Sequence, residues 1–142
     1  MKYRLLKFML FASAFAWGVS AVGVVLPWPA ALMALQGLGA GEIPHDPMLD
    51  YWLRMTAGAF TGIGIFFLLV ALWPSRFGSV IGILAVLMII EGIVILVHGL
   101  RLGLPPFPFY CDTGFCILAG IGIWMLRNET GNAGKQPSEP IR

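Results

Sequence analysis

Long stretches without a charged side chain constrain this sequence more than any other feature. No Lys, Arg, Asp or Glu occurs in residues 8–41 or 55–75, Glu91 is the single charge in residues 77–100, and residues 113–126 again have none. A helix needs about 20 apolar residues, rising about 1.5 Å each, to cross the roughly 30 Å of hydrocarbon in a bilayer. Three stretches are long enough and the fourth is short. The pattern predicts a helical membrane protein.

The composition excludes several other classes of protein. Only 11% of the 142 residues are charged and 58% are hydrophobic, whereas about 25% of an average soluble domain is charged. This apolar content argues against a disordered chain and a soluble enzyme. The net charge of +2 is too small to bind nucleic acid through phosphate contacts. We therefore expect the lipid bilayer to be the main partner, and no nucleic acid partner.

The uncharged stretches predict an all-α, polytopic membrane protein with one domain, residues 1–127, folded as a bundle of four transmembrane helices. The predicted spans are about residues 8–26, 54–73, 77–98 and 113–126. The first outer loop holds an apolar stretch, Pro29 to Gln36, that is too short to cross and predicts a short interfacial helix. The turn at residues 74–76 is so short that the second and third helices are expected to be antiparallel neighbours. The polar tail, residues 128–142, is expected to be disordered in the cytoplasm.

The distribution of Lys and Arg predicts how the bundle is oriented. With the N-terminus inside, only Arg54 and Arg101 lie outside, and the basic residues inside are Lys2, Arg4, Lys7, Arg76, Arg127, Lys135 and Arg142. This bias places both termini in the cytoplasm of a bacterial inner membrane. The alternative for the first segment is a signal peptide cleaved near Ala16, but its apolar region would be only about eight residues, and apolar sequence continues beyond it.

Small residues recur at four-residue spacing in three of the spans. Gly58 and Gly62 are one such pair, Gly78 and Gly82 another, and Ala14 precedes Gly18 at the same interval. Close approach of backbones through small residues is a common way for helices to pack in lipid. The pairs predict packing within the bundle, and a contact in a homo-oligomer is the alternative.

Glu91 is the polar residue that most needs an explanation. A carboxylate inside a span costs about 2.5–3.5 kcal/mol on insertion scales, so it must face protein or water, pair with a cation, or take up a proton. His98 follows two helical turns later, and Arg54 and Arg101 lie at the outer ends of their spans. We predict a polar site of Glu91, His98, Arg54 and Arg101 near the outer leaflet. It is either a structural ion pair or a pocket that binds an anionic or quinone-like headgroup or relays protons.

The two cysteines, Cys111 and Cys116, both fall on the predicted outer side. That compartment is oxidising in a bacterium, so a disulfide between them is one expectation. Positions five apart in one regular helix are too far apart to bond, so the disulfide requires Cys111 to lie in the loop before the fourth span. The spacing is not that of a thioredoxin-like pair. No metal site is predicted, because the outer His and Cys residues lack a recognised ligand spacing.

The chain resembles small bacterial four-helix membrane proteins of the DoxX-like families. The resemblance covers roughly residues 8–126 and is carried by Arg54 with Gly58 at the start of the second span and by the exit from the third span through Gly103 and Pro105. The resemblance implies a four-helix bundle and, from the thiosulfate oxidation coupled to quinone that is linked to DoxX itself, a quinone and a partner subunit. It assigns no site residue.

Three classes of function follow, in this order. The first is an accessory or assembly subunit without catalytic activity of its own, and the second is a quinone- or thiol-linked redox subunit, with quinone the one cofactor considered. The third is a small proton-coupled transporter, which needs a water path past Glu91. Walker, dinucleotide-binding, nucleophile-elbow and zinc-protease motifs are all missing from the sequence, so an enzyme is the less favoured interpretation.

Overall fold

The computed structural model describes residues 1–128, so the predicted disordered tail lies outside the described residues except for Asn128. Every regular element within these residues is a helix, which confirms the all-α prediction. The helices are α1 (Lys2–Gly18), α2 (Ala21–Val25), α3 (Trp28–Gly37), α4 (Pro47–Leu72), α5 (Gly78–Leu102) and α6 (Pro106–Leu126).

Four helical segments of the described chain are long and apolar enough to cross a membrane. They are Lys2–Val25, which combines α1 and α2, and then Pro47–Leu72, Gly78–Leu102 and Pro106–Leu126. They confirm the prediction of four spans, and each segment extends past a predicted boundary. The predicted short helix in the first connection is also present, as α3, with Pro29 in its first turn.

The first span has a distorted turn between α1 and α2 that keeps helical backbone geometry. Val19 and Ser20, the two residues between the helices, keep right-handed helical backbone angles. The amide of Val22 donates to the carbonyl of Val19 over 3.2 Å, and the amide of Gly23 donates to that of Ser20 over 2.9 Å. These tighter bonds, between residues three apart, are typical of a distorted helical turn.

The second span begins seven residues before its predicted start at residue 54. Asp46 caps α4, since its carboxylate accepts hydrogen bonds from the amides of Met48 at 2.7 Å and Leu49 at 3.4 Å. Pro47 then occupies the first turn, where its missing amide hydrogen costs nothing. The sequence around His45 and Asp46 is therefore a helix start.

The fourth span was predicted too short for a related reason. The prolines before residue 113 indicate a loop, but Pro106 begins α6 and only Phe107 has non-helical backbone angles inside it. A proline in the first helical turn has no hydrogen bond to lose. At 21 residues, α6 is long enough to cross the hydrocarbon without help from the preceding loop.

Two pairs of helices pack closely, α1 with α4 and α5 with α6. A Cβ atom on Gly64 of α4 would lie 2.5 Å from the amide nitrogen and 2.7 Å from the Cα of Gly18 in α1. In the other pair, Gly92 and Gly99 of α5 leave room for side chains of α6, and Gly120 of α6 lies against Ala85 and Ile89 of α5. Gly58 and Gly62, in contrast, face open space.

The apolar core lies at one end of the bundle, which we call the core end. It contains the N-terminal parts of α1 and α5 and the C-terminal parts of α4 and α6. Its most buried members are Leu6, Leu10, Phe67, Val70, Ala71, Ile81, Ala85 and Ile123. The helices therefore alternate in direction. We call the opposite end, where α3 lies, the α3 end.

The expectation that the second and third spans are close neighbours holds only at the core end. Phe66 of α4 and Phe77 before α5 pack edge to face there, with ring centroids 6.2 Å apart. Towards the α3 end a cavity opens between Phe60 of α4 and Glu91 of α5, and the pair is not among the closely packed ones. A short turn fixes only one end of two helices, so they are free to diverge from it.

Candidate functional site

A partly open cavity of about 580 Å³, which we call the central cavity, lies between the helices towards the α3 end. All four spans and the end of α3 contribute to its wall. The lining residues are Ala16, Trp17, Val19, Ser20, Leu38, Phe60, Glu91, Ile95, Pro108, Asp112, Phe115 and Cys116. A volume of this size lies within the range of small-molecule sites, which is about 300–1,000 Å³.

Two smaller cavities adjoin the central cavity and share lining residues with it. The α3-side cavity, about 310 Å³, is reached past the end of α3 and the α5–α6 connection, and it shares Asp112 with the central cavity. The inner cavity, about 220 Å³, lies between α4 and α5 and shares Trp17, Phe60 and Glu91 with the central one. Each of the two shared walls carries one carboxyl group, Asp112 on the α3 side and Glu91 on the inner side.

The polar groups of the central cavity come from three different segments of the chain. The distorted turn after α1 contributes the Ser20 hydroxyl, α5 contributes Glu91, and α6 contributes Asp112 and the Cys116 thiol. Asp112 and Cys116 are four residues apart and so lie on one face of α6. Within residues 1–128, Glu91 has no ion pair and no hydrogen bond from a side chain. Its carboxylate is therefore open to a ligand or to water in the cavity.

Two buried polar atoms of the described chain have no hydrogen-bond partner, the indole nitrogen of Trp17 and the hydroxyl of Thr113. The Trp17 ring packs edge to face on Phe60, with centroids 5.0 Å apart, and it lines the central and inner cavities. Buried polar groups in proteins are nearly always hydrogen-bonded. The indole N–H next to this cavity is therefore a donor that a ligand or an ordered water can satisfy.

The structure does not bring the four predicted site residues together. Arg54 pairs with Asp50 at 2.9 Å and donates to the carbonyls of Gly23 at 3.0 Å, Val24 at 3.4 Å and Leu26. It therefore secures the end of α2 and does not neutralise Glu91.

His98 and Arg101 lie exposed in the last turns of α5, and neither lines any of the three cavities. Of the predicted set only Glu91 belongs to the cavity. Helix spacing places His98 near the face of Glu91, but two turns further along the axis, which takes it past the end of the cavity.

The sequence analysis missed Trp17, Ser20 and Asp112 as residues that line the cavity together with Glu91. A signal existed for Trp17, because it lies in the middle of a span while Trp28, Trp52 and Trp73 fall at predicted span ends. Asp112 was hidden by the predicted start of the fourth span at residue 113. Because α6 begins at Pro106, Asp112 lies in this helix, where its side chain is exposed and lines both the central and the α3-side cavity.

The structure does not meet the condition for a disulfide between the cysteines. Cys111 is exposed, Cys116 is buried, and both thiols are free on the same helix. Positions five apart are turned about 140° from each other around a regular helix, so the sulfur atoms point in different directions. The prediction required Cys111 to lie in a loop, and α6 already includes it.

Comparison with protein-family models, with curated proteins and with solved structures finds no match to this chain. The fold and the cavities must therefore be interpreted from their own chemistry. The helical content and the four long apolar helices of the described chain define a multi-pass, all-α membrane protein.

Proposed function

We propose that this protein is a small ligand-binding subunit of the bacterial inner membrane, accessory to a larger membrane assembly and without catalytic activity of its own. The observation that carries this proposal is the central cavity, in which Glu91 and Asp112 meet apolar and aromatic walls. A carboxylate within a span is costly unless it has a role or a partner. A ligand with a polar head and an apolar body can contact both the carboxyl groups and the apolar walls of the cavity.

The proposed orientation follows from the charges at the two ends of the bundle. The core end carries Lys2, Arg4, Lys7, Arg76 and Arg127, and no acidic residue of the described chain lies there. We therefore assign the core end to the cytoplasm and the α3 end to the outer leaflet. In this orientation the ligand enters from the outer side or from the outer half of the bilayer.

A substitution that obstructs the central cavity tests the proposal. Ala16→Phe places a ring at the wall of the central cavity, whereas Ala59→Phe places the same ring on an exposed position of α4. Protein extracted from native membranes into lipid nanodiscs is analysed by native mass spectrometry. We expect a small molecule to copurify with the wild type and with Ala59→Phe, and to be lost from Ala16→Phe. An identical set of bound molecules in all three proteins would contradict the proposal.

A quinone-linked redox subunit is the second candidate, and it is the function that the DoxX-like resemblance implies. The unpartnered indole N–H of Trp17 favours it, since a quinone carbonyl is a hydrogen-bond acceptor that fits such a donor. Organic extraction of the purified protein followed by chromatography with absorbance detection tests it. Quinone present in the wild type and absent from Ala16→Phe would support this candidate over a ligand without redox chemistry.

A further inference from the structure

Within residues 1–128, the three cavities are lined by acidic groups and by no basic ones. Glu91 and Asp112 are part of the lining, whereas no Lys, Arg or His of this part of the chain lines any of the three cavities. Arg54, which the sequence placed in the same polar site as Glu91, is held by Asp50 and by backbone carbonyls of the first span. The electrostatic field inside the cavities therefore favours a positive ligand and opposes an anion.

Aromatic rings accompany the carboxylates. Trp17 and Phe60 border the wall that also carries Glu91, and Phe115 lines the central cavity beside Asp112. Faces of Trp and Phe attract organic cations, most strongly where water is excluded. A metal ion requires a closer set of oxygen, nitrogen or sulfur ligands. No group of three such side chains that could hold one occurs among residues 1–128.

We propose that the central cavity binds lipophilic organic cations, with the positive charge facing Glu91 and Asp112 and the apolar groups against Trp17, Phe60 and Phe115. This inference rests on the proposed function, namely that the cavity holds a ligand, and it names the ligand's charge and chemical class. The volume of about 580 Å³ suits a molecule with several rings or short chains. The sequence alone had suggested an anionic or quinone-like headgroup, because it placed Arg54 beside Glu91.

Two probes of similar size and shape and opposite charge test the inference. Radiolabelled tetraphenylphosphonium and tetraphenylborate are dialysed to equilibrium against purified protein in mild detergent, and binding to empty micelles is subtracted. We expect saturable binding of tetraphenylphosphonium, at least about tenfold tighter than that of tetraphenylborate. Glu91→Gln and Asp112→Asn should each weaken the cation by about tenfold, because each removes one charge partner.

Three further variants keep the result interpretable. Glu91→Asp retains the charge and should retain most of the binding, which separates loss of charge from loss of fold. Glu42→Gln removes an exposed carboxylate outside the cavities and should leave binding unchanged. Ala16→Phe should abolish binding of the cation, because its ring extends from the cavity wall into the space that the cation would occupy.

The outcomes distinguish this inference from the proposed function. Equal affinity for the two ions, lost in Ala16→Phe, would overturn the cation inference and leave the ligand-binding cavity standing. Binding of the cation that survives in Ala16→Phe would overturn the central cavity as its site. If neither ion binds, the cation inference fails, and the copurified molecule of the nanodisc experiment decides the proposed function separately.

Discussion

Arg54 secures the end of the first span. The last carbonyls of a helix have no partner within the helix, and the Arg54 guanidinium donates to those of Gly23 and Val24, near the end of α2. Its ion pair with Asp50, four residues earlier on α4, holds the side chain in place. Arg54 thus connects α2 to α4 next to the distorted turn that lines the central cavity.

Replacing Arg54 should destabilise the bundle. Arg54→Gln removes the partner of Asp50 and leaves partly buried carbonyls without a donor, and we expect the free energy of unfolding to fall by about 1–3 kcal/mol. Arg101→Gln is the control, because Arg101 is exposed at the end of α5 and its replacement should cost less than about 0.5 kcal/mol. The free energy of unfolding of both variants is measured in mixed detergent micelles. Equal losses in the two variants would contradict the role assigned to Arg54.

Glu91 shows what can be inferred about a site from the sequence and what cannot. The cost of a carboxylate in a span identifies Glu91 as a residue that needs a special environment, and the structure places it in a cavity. Its neighbours depend on how each helix is rotated and on where α6 begins, and neither is set by residue spacing. For this reason Asp112 and Trp17 were missed, and Arg54 was assigned to the wrong partner.

Glycine contacts determine how closely the helices of each pair approach. Gly64 lies directly against Gly18 of α1, whereas Gly62, two residues earlier, faces open space. Both glycines belong to the same apolar helix, and only their neighbours differ. The sequence predicts that small residues mediate packing, but it does not tell which of them face a helix and which face lipid.

The two glycines make a matched pair of variants. Gly64→Ala forces α1 and α4 apart, since its Cβ would lie 2.5 Å from a backbone nitrogen, and we expect the free energy of unfolding to fall by about 1–3 kcal/mol. Gly62→Ala should be neutral or stabilising by up to about 1 kcal/mol, because alanine favours a helix. The oligomeric state of Gly62→Ala, compared with that of the wild type, gives a second test of where this glycine packs. If Gly62→Ala dissociates an oligomer, that glycine packs between copies of the chain.

The helices themselves could be predicted because lipid restricts a spanning segment to a long apolar helix, and the gaps between charges show where such segments lie. The positions at which the helices begin were predicted less accurately. Pro47 and Pro106 begin helices that the sequence analysis started seven residues later, at 54 and 113. A proline ends a helix when it lies in the interior and favours one when it lies in the first turn, and the pattern of charges does not distinguish these positions.

The whole molecule is most tightly packed at the core end, and its cavities lie from the middle of the bundle to the α3 end. Leu6, Ile81 and Ile123 are completely buried at the core end, whereas the central and α3-side cavities lie towards the α3 end, and the inner cavity borders the core at Phe67 and Met88. This asymmetry favours a protein that holds a ligand on one side of the membrane. A proton-coupled transporter would in addition have to open the packed core towards the cytoplasm.

The cavity lies within a membrane only if the helices cross the bilayer. The most direct test introduces one cysteine at each end of the bundle and determines from which side of the membrane each is labelled. Glu42→Cys lies between α3 and α4, and Ser75→Cys lies in the turn between α4 and α5, both in a background with Cys111→Ser and Cys116→Ser. We expect a membrane-impermeant maleimide to label position 42 in cells whose outer membrane alone is permeabilised, and position 75 only after the inner membrane is opened. Labelling of both positions from the same side would contradict the account.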